Sequence, residues 1–224
     1  MRLPDYIPKS KKSKPTRKVI NEAIYMLAKF GVPVECLTER KRERMAMAFL
    51  AVADVANNKG WSKTKGEGES IRALKTREII EYINRHFEEK ISSGSYDDIR
   101  RGDLRLLLQA GIIIQSNPNA AANDPTRGYV LSSEYSALIC RFGNENWNKD
   151  VEKFMSHRIA LAEELAQRRI IETVQVVLPN GLALNFSSGR HNQLQREIIE
   201  SFLPRFGHGA EVLYVGDAAK NFCL

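Results

Sequence analysis

Residues 76–131 read TREIIEYINRHFEEKISSGSYDDIRRGDLRLLLQAGIIIQSNPNAAANDPTRGYVL, and the order of patterns within them decides the fold. Thr76 stands at a helix start, and Ile79, Ile80, Ile83 and Phe87 share one helical face. Ser92-Ser93-Gly94 turns the chain, and Ser95 with Asp98 has the spacing of a capping box for the next helix. That helix points Leu104, Leu107 and Leu108 inward at i, i+3, i+4 and ends at Gly111. Residues 112–114 predict a short strand, 117–127 a polar loop and 128–131 a returning strand. Helix, tight turn, helix and two-stranded hairpin is the order of a winged helix-turn-helix. On the side of its second helix away from the leucines lie Arg100, Arg101 and Arg105, whose guanidinium forks suit guanine edges and phosphates. Asp97, Asp98 and Asp103 on the same helix cap it well but repel phosphate, and helix-hairpin units also build protein–protein modules.

Upstream, residues 1–17 are polar, carry three prolines and predict a basic flexible arm. Val19, Ala23, Met26, Leu27 and Phe30 form the stripe of a first helix, stopped by Gly31 and Pro33. Thr38 caps a second helix, ERKRERMAMAFLAVADVA, and residues 57–68 predict a linker around Trp61. The formal net charge is +7, and residues 1–60 account for all of it. The excess lies in the arm and in Arg40, Lys41, Arg42 and Arg44, a cluster that favours a polyanion by counterion release. A solvated charged helix face is the alternative. Basic residues in a first turn oppose the helix dipole, which suits a role toward an outside partner.

Downstream, residues 133–142 and 147–169 predict further helix. Residues 176–220 read VVLPNGLALNFSSGRHNQLQREIIESFLPRFGHGAEVLYVGDAAK: a hairpin, a helix and a strand over 212–215 ending at Gly216-Asp217. Ser187 is placed to cap the helix, Leu194, Ile198 and Phe202 predict its buried stripe, and Glu197 and Glu200 fall off that stripe. His191 and Asn192 sit in the first turn, where free backbone N–H groups favour an anion. A histidine there also serves as an ordinary cap or surface residue. Asp217, after an apolar run, stands where strand-end site residues and ordinary turns both occur.

Composition is that of a soluble globular protein: 43% apolar and 27% charged over 224 residues. No apolar run approaches the roughly 20 residues that span a bilayer. The basic N-terminus lacks the apolar segment of a secretory signal. Cys36, Cys140 and Cys223 are scattered, without zinc or disulfide spacing, and a reducing cytoplasm is the expected compartment.

Four C-terminal signatures carry a resemblance. They are Leu178-Pro179-Asn180-Gly181; the box Ser187, Gly189, His191, Asn192, Leu194, Gln195; Pro204-Arg205-Phe206; and residues 212–217, VLYVGD. Ser95, Ile99-Arg100-Arg101, Gln109-Ala110-Gly111-Ile112 and Asn144-x-x-Trp147 accompany them upstream in order. Together they resemble the BsuBI/PstI family of type II restriction enzymes: its N-terminal helix-turn-helix domain and the opening of its endonuclease domain.

The resemblance implies an α+β, mostly helical chain. A winged helix-turn-helix DNA-binding domain over 18–170 would follow the arm, and 171–224 would be the opening hairpin, helix and strand of a PD-(D/E)xK-like nuclease domain. It implies double-stranded DNA as partner, a homodimer on a palindromic CTGCAG-like site, a cognate DNA methyltransferase as genetic partner, and no membrane. Mg²⁺ is implied for the full-length family enzyme. The family's acidic metal-binding motif lies on strands expected beyond residue 224, so the chain reads as truncated, its metal ligands are unassigned, and alone it is expected to bind no metal and cut nothing. His191, Asn192, Glu197, Glu200 and Asp217 would then be outlying members of a catalytic site. Three departures from the family pattern bear on function. Ser188 replaces a proline, Ala218 replaces a threonine, and Tyr96-Asp97-Asp98 replaces an Arg-Glu-Thr-like segment, which bears on site specificity. A DNA-binding regulatory module without catalysis and a nonfunctional gene remnant are the competing readings.

Overall fold

A computed structural model of the chain describes residues 3–68, 73–117, 119, 128–156, 158, 163, 174–186, 189–212, 214–216 and 221–223. It divides into two compact units, Met1–Ala162 and Glu163–Leu224, where the sequence suggested a boundary at 170–171.

The first unit is built around its second helix. In α2 (Glu39–Val52) residues 45–52 are buried without exception, because MAMAFLAV is apolar on every side and can only be a central helix. Against it pack α1 (Lys14–Lys29), α3 (Thr76–His86) and the later hairpin. The Thr38 hydroxyl accepts the Lys41 N–H at 3.3 Å, as expected of an N-cap. At α3 the cap lies one residue before the expected Thr76: the Lys75 N–H donates to Glu78 Oε2 at 2.8 Å, and Thr76 is buried.

Residues 3–13 are not a free arm. Ile7 is fully buried, the Tyr6 N–H donates to Asn21 Oδ1 at 2.8 Å, and Lys12 Nζ reaches Glu89 Oε1 at 2.6 Å and the Phe87 carbonyl at 2.7 Å. α1 begins at Lys14, with Pro15 in its first turn. A proline there costs no hydrogen bond, so it marks a helix start and not a loop. The expected linker is pinned too: Trp61 is buried and its Nε1 donates to Glu22 Oε2 at 2.8 Å. Burial pushes the Glu22 carboxyl up, against that hydrogen bond and the Lys18 charge.

After α3 the second helix is broken. Residues 96–109 form a short α4 (Tyr96–Asp98), a five-residue π turn (Ile99–Asp103) and α5 (Arg105–Gln109). Ser95 makes no side-chain cap; instead Ser92 Oγ accepts the Gly94 N–H at 3.2 Å. Leu104 and Leu107 are fully buried and Leu108 half-buried. Gly111, at φ +67°, ends the run, and the Ile112 N–H bonds back to the Leu107 carbonyl.

Strands β1 (Ile113–Gln115) and β2 (Tyr129–Leu131) pair antiparallel, with Ile113 opposite Leu131. Tyr129 also bridges to Leu74, and a side chain on Gly128 would meet the Ala73 backbone at 2.8 Å, so only glycine fits that crossing. α6 (Ser133–Ile139) and α7 (Trp147–Met155) follow, shorter than the 133–142 and 147–169 that the sequence suggested; most of the latter stretch after residue 156 lies outside the described residues. Trp147 Nε1 donates to the Leu138 carbonyl at 2.9 Å.

In the second unit β3 (Val174–Val177) and β4 (Ala183–Phe186) form a hairpin whose turn holds Gly181 at φ +84°. A helical run then comprises α8 (Arg190–Glu197), a π turn (Ile198–Phe202) and α9 (Leu203–Phe206). The strand expected at 212–215 is β5 (Tyr214–Gly216), paired antiparallel with β6 (Asn221–Cys223), so one of its edges is covered. Val176, Leu178, Phe186, Ile199 and Val215 form the small core.

The expected buried stripe of this run is corrected. Leu194 is 59% exposed, Ile198 43% and Phe202 55%, while Asn192 and Ile199 are buried. The face turned to β3 is the one carrying 192 and 199, and the apolar i, i+4, i+8 series points outward with Phe206.

Candidate nucleic-acid interface

The π turn at Ile99–Asp103 determines which side chains of the broken helix face solvent. It turns Ile99 and Asp103 inward with Leu104 and Leu107, and leaves Arg101 and Arg105 exposed and Arg100 half-exposed. Asp103 is 1% exposed, and a lone buried carboxylate would be costly. Two cations from the start of α2 answer it: Lys41 Nζ at 2.7 Å from Oδ1, and Arg44 Nε at 3.0 Å from Oδ2. This three-residue cluster ties the broken helix to the central one. Removing one partner of such a buried set costs about 3–5 kcal/mol. Asp103 lies four residues before the inward Leu107, so helical spacing alone put it on the buried face and called for a partner; the sequence reading treated it as a helix cap and a phosphate repellent.

The remaining α2 cations are also engaged. Arg40 forks onto Glu89, Nη1 to Oε1 at 2.6 Å and Nη2 to Oε2 at 3.0 Å, and also donates to Glu43 at 2.8 Å. Burial pushes the Glu89 carboxyl up, but the hydrogen bonds from Arg40 and Lys12 outweigh it and bring it down to about 2. Arg42 lies 3.8 Å from Glu35. The structure therefore gives Arg40, Lys41, Arg42 and Arg44 internal carboxylate partners.

A groove of about 670 Å³ runs between the α2 start and the broken helix, with Arg40, Lys41, Arg44 and Arg101 facing Asp97 and Asp103. On its outer side Asp97 Oδ1 accepts from Arg100 Nε at 3.2 Å and Nη2 at 3.0 Å, and lies 3.6 Å from Arg101 Nε. The Asp97 hydrogen bond holds the Arg100 guanidinium above its usual range. Among the described residues Arg105 is exposed and has no carboxylate partner. Arg100, Arg101 and Arg105 thus share one face, while the α2 cations serve the interior edge of the groove.

The described catalytic candidates of the second unit each have their own local surroundings. His191 and Glu197 are exposed, and Glu197 accepts from Ser201 Oγ at 3.1 Å. Asn192 is buried and accepts from Gln195 Nε2 at 2.8 Å, a helix-internal contact. Glu200 takes the Val177 N–H at 2.8 Å on one oxygen and Arg196 Nε at 2.9 Å on the other. The Val177 N–H, then Arg196, hold its carboxyl below the usual range. Each Glu200 oxygen thus carries one hydrogen bond, Glu197 faces solvent, and among the described residues no three His, Cys, Asp or Glu side chains converge as a metal site. Asp217 and Ser187 lie outside the described residues. No described helix is long and apolar enough to cross a membrane.

The BsuBI/PstI restriction endonuclease HTH domain matches residues 17–163, and the BsuBI/PstI restriction endonuclease domain matches residues 174–224. The chain is similar to the type II restriction enzyme BsuBI of Bacillus subtilis, 25% identical over 204 residues, covering 90% of this chain and 62% of that enzyme. It shares its fold with the SdaI restriction endonuclease, at a TM-score of 0.51 and 24% identity, over 98% of this chain and 64% of that one. The chain therefore spans less than two-thirds of the length of either.

Proposed function

The chain belongs to the BsuBI/PstI restriction endonuclease family, and on that premise we propose that its first unit is the sequence-reading part of a type II restriction enzyme, a winged helix-turn-helix that binds duplex DNA through Arg100, Arg101 and Arg105. One observation carries the reading: the π turn buries Ile99 and Asp103 and leaves the three arginines on the outward side of the helix before a two-stranded hairpin. A helix bearing guanidinium forks fits the major groove, and the hairpin β1–β2 is the wing beside it. In this reading the protein is cytoplasmic, acts as a homodimer on a palindromic CTGCAG-like site and accompanies a DNA methyltransferase that protects that site.

Arg40, Lys41, Arg42 and Arg44 contribute less to DNA affinity than their formal charge, because Glu89, Asp103 and Glu35 already neutralise them. The test is a salt titration of duplex binding. Changing Arg100, Arg101 and Arg105 together to alanine should flatten the slope of log affinity against log salt by about 2. A slope unchanged in that triple variant would defeat the assignment.

Cleavage by these 224 residues alone is not expected. Mg²⁺ supplies family chemistry by activating water and stabilising a leaving oxygen. Among the described acids, Glu200 is held by Val177 and Arg196 and Glu197 points to solvent. This favours, as the second reading, a chain that binds DNA without cutting it. Plasmid DNA incubated with the protein and Mg²⁺ should stay intact; discrete site-specific fragments abolished by Asp217→Asn would overturn that.

A further inference from the structure

We propose that Asp97 sets the sequence selectivity of this surface by holding the Arg100 guanidinium along one edge, so that its free end is offered to a base and withheld from phosphate. The inference rests on the duplex-DNA reading above and goes beyond it, because it gives selectivity to an acid on a cationic face.

The geometry is one-sided. Asp97 Oδ1 accepts from both Nε and Nη2 of Arg100, which occupies the side edge of the guanidinium plane. Nη1 and the outer hydrogen of Nη2 remain at the end of the fork, two parallel donors spaced for the O6 and N7 acceptors of guanine. The Arg100 side chain is 38% exposed and Asp97 60%, so the pair lies at the surface and the free end is accessible. The same carboxylate oxygen stands 3.6 Å from Arg101 Nε, so one acid restrains two adjacent arginines.

The chemistry of the two DNA acceptors then separates them. A phosphate approaching Arg100 brings a full negative charge beside the Asp97 carboxylate and is repelled by it. A guanine edge presents acceptors without net charge and meets little of that repulsion. Asp97 therefore penalises the sequence-independent contact more than the sequence-dependent one, and pre-orients the arginine for the latter. Asp97 is a positioning residue here: it acts on DNA through Arg100.

The test uses the whole chain, an unselected pool of randomised duplexes, and motif selection from that pool. Wild type should enrich a motif containing guanine, and Arg100→Ala should lose that guanine. Asp97→Asn should bind the unselected pool on the order of fivefold tighter at low salt. Its salt slope should steepen by about 0.9, the equivalent of one more phosphate contact, while the guanine preference weakens. Asp97→Glu, which keeps the charge, should restore the wild-type pool affinity. Loss of fold would weaken every duplex alike, so tighter pool binding with blurred selection is a signature that a structural defect cannot give. If Asp97→Asn leaves pool affinity unchanged or lowers it, or keeps the guanine preference sharp, the proposal fails while the DNA reading stands. If neither wild type nor Asp97→Asn shows salt-dependent duplex binding, the DNA reading fails and takes this proposal with it.

Discussion

Two helical runs, residues 96–109 in the first unit and 190–206 in the second, are each interrupted by a five-residue π turn, yet their side chains are buried in opposite ways. In the first run Ile99, Leu104 and Leu107 are covered and the acid that comes with them, Asp103, is met by Lys41 and Arg44. In the second, Ile199 alone of the large apolar side chains is well buried, and Leu194, Ile198, Phe202 and Phe206 face outward. The helices differ less than their surroundings. The first run packs on a central helix whose residues 45–52 are apolar throughout; among the described residues the second has the β3–β4 hairpin and Val215 of β5. The same local irregularity is thus absorbed where a thick core surrounds it and leaves apolar surface where the core is thin.

The contrast breaks most readily at Asp103. Asp103→Ala should remove about 3–5 kcal/mol from the urea stability of the first unit, because it leaves Lys41 and Arg44 without their counter-charge. A loss below about 1 kcal/mol would mean that the cluster does not hold the broken helix. In the second unit the comparison is sharpened by a pair of variants. Ile199→Ala should cost roughly 2–4 kcal/mol and Phe202→Ser less than about 1, though phenylalanine is the larger side chain. Equal costs would restore the buried stripe that the sequence suggested.

Acid should act on the first unit through Glu89. Its folded carboxyl titrates near 2, below the ordinary value of 4.5, so its contribution is complete above about pH 4.5 and disappears as pH falls toward 2. The loss is roughly 2–3 kcal/mol, read from urea midpoints across that window, and Glu89→Gln should remove most of the pH dependence. The smallest effect belongs to exposed pairs: breaking Arg141–Asp150 by Arg141→Ala should change stability by about 0.5 kcal/mol or less.

Much of the first unit was legible in sequence because its signals are local. Thr38, the Gly111 stop and the leucine spacing each follow from residues a few positions apart, and the two short apolar strands of the hairpin stand out on either side of a polar loop. What escaped depends on distant partners. The polar stretch before Lys14 reads as an arm until Glu88 and Glu89 are known to face it. The cations at 40–44 read as free until Glu89 and Asp103 are placed beside them. In the second unit periodicity identified the helix but named the wrong face, since i, i+4 spacing records that apolar residues align, not which side a thin core will cover. At the candidate site the arginine face followed from helical phase; the Asp97 tether at i+3 and i+4 followed from the same phase and was read as a cap and a repulsion toward phosphate.

The contact between residues 12–16 and residues 87–89 also orders events during synthesis. Ser13 donates to Glu88 through both its N–H and its hydroxyl, and Glu88 holds a left-handed backbone, φ 53°, at that junction. The start of α1 therefore waits for a partner some seventy-five residues behind it. At about 5–20 residues per second that is several seconds. During that interval α1 and the apolar half of α2 can pair with each other, and residues 5–10 can reach Asn21, Glu39 and Glu43, but Ser13 has no Glu88 to bond. The Ser13–Glu88 contact closes late, after α3 has emerged, although Ser13 is made well before it.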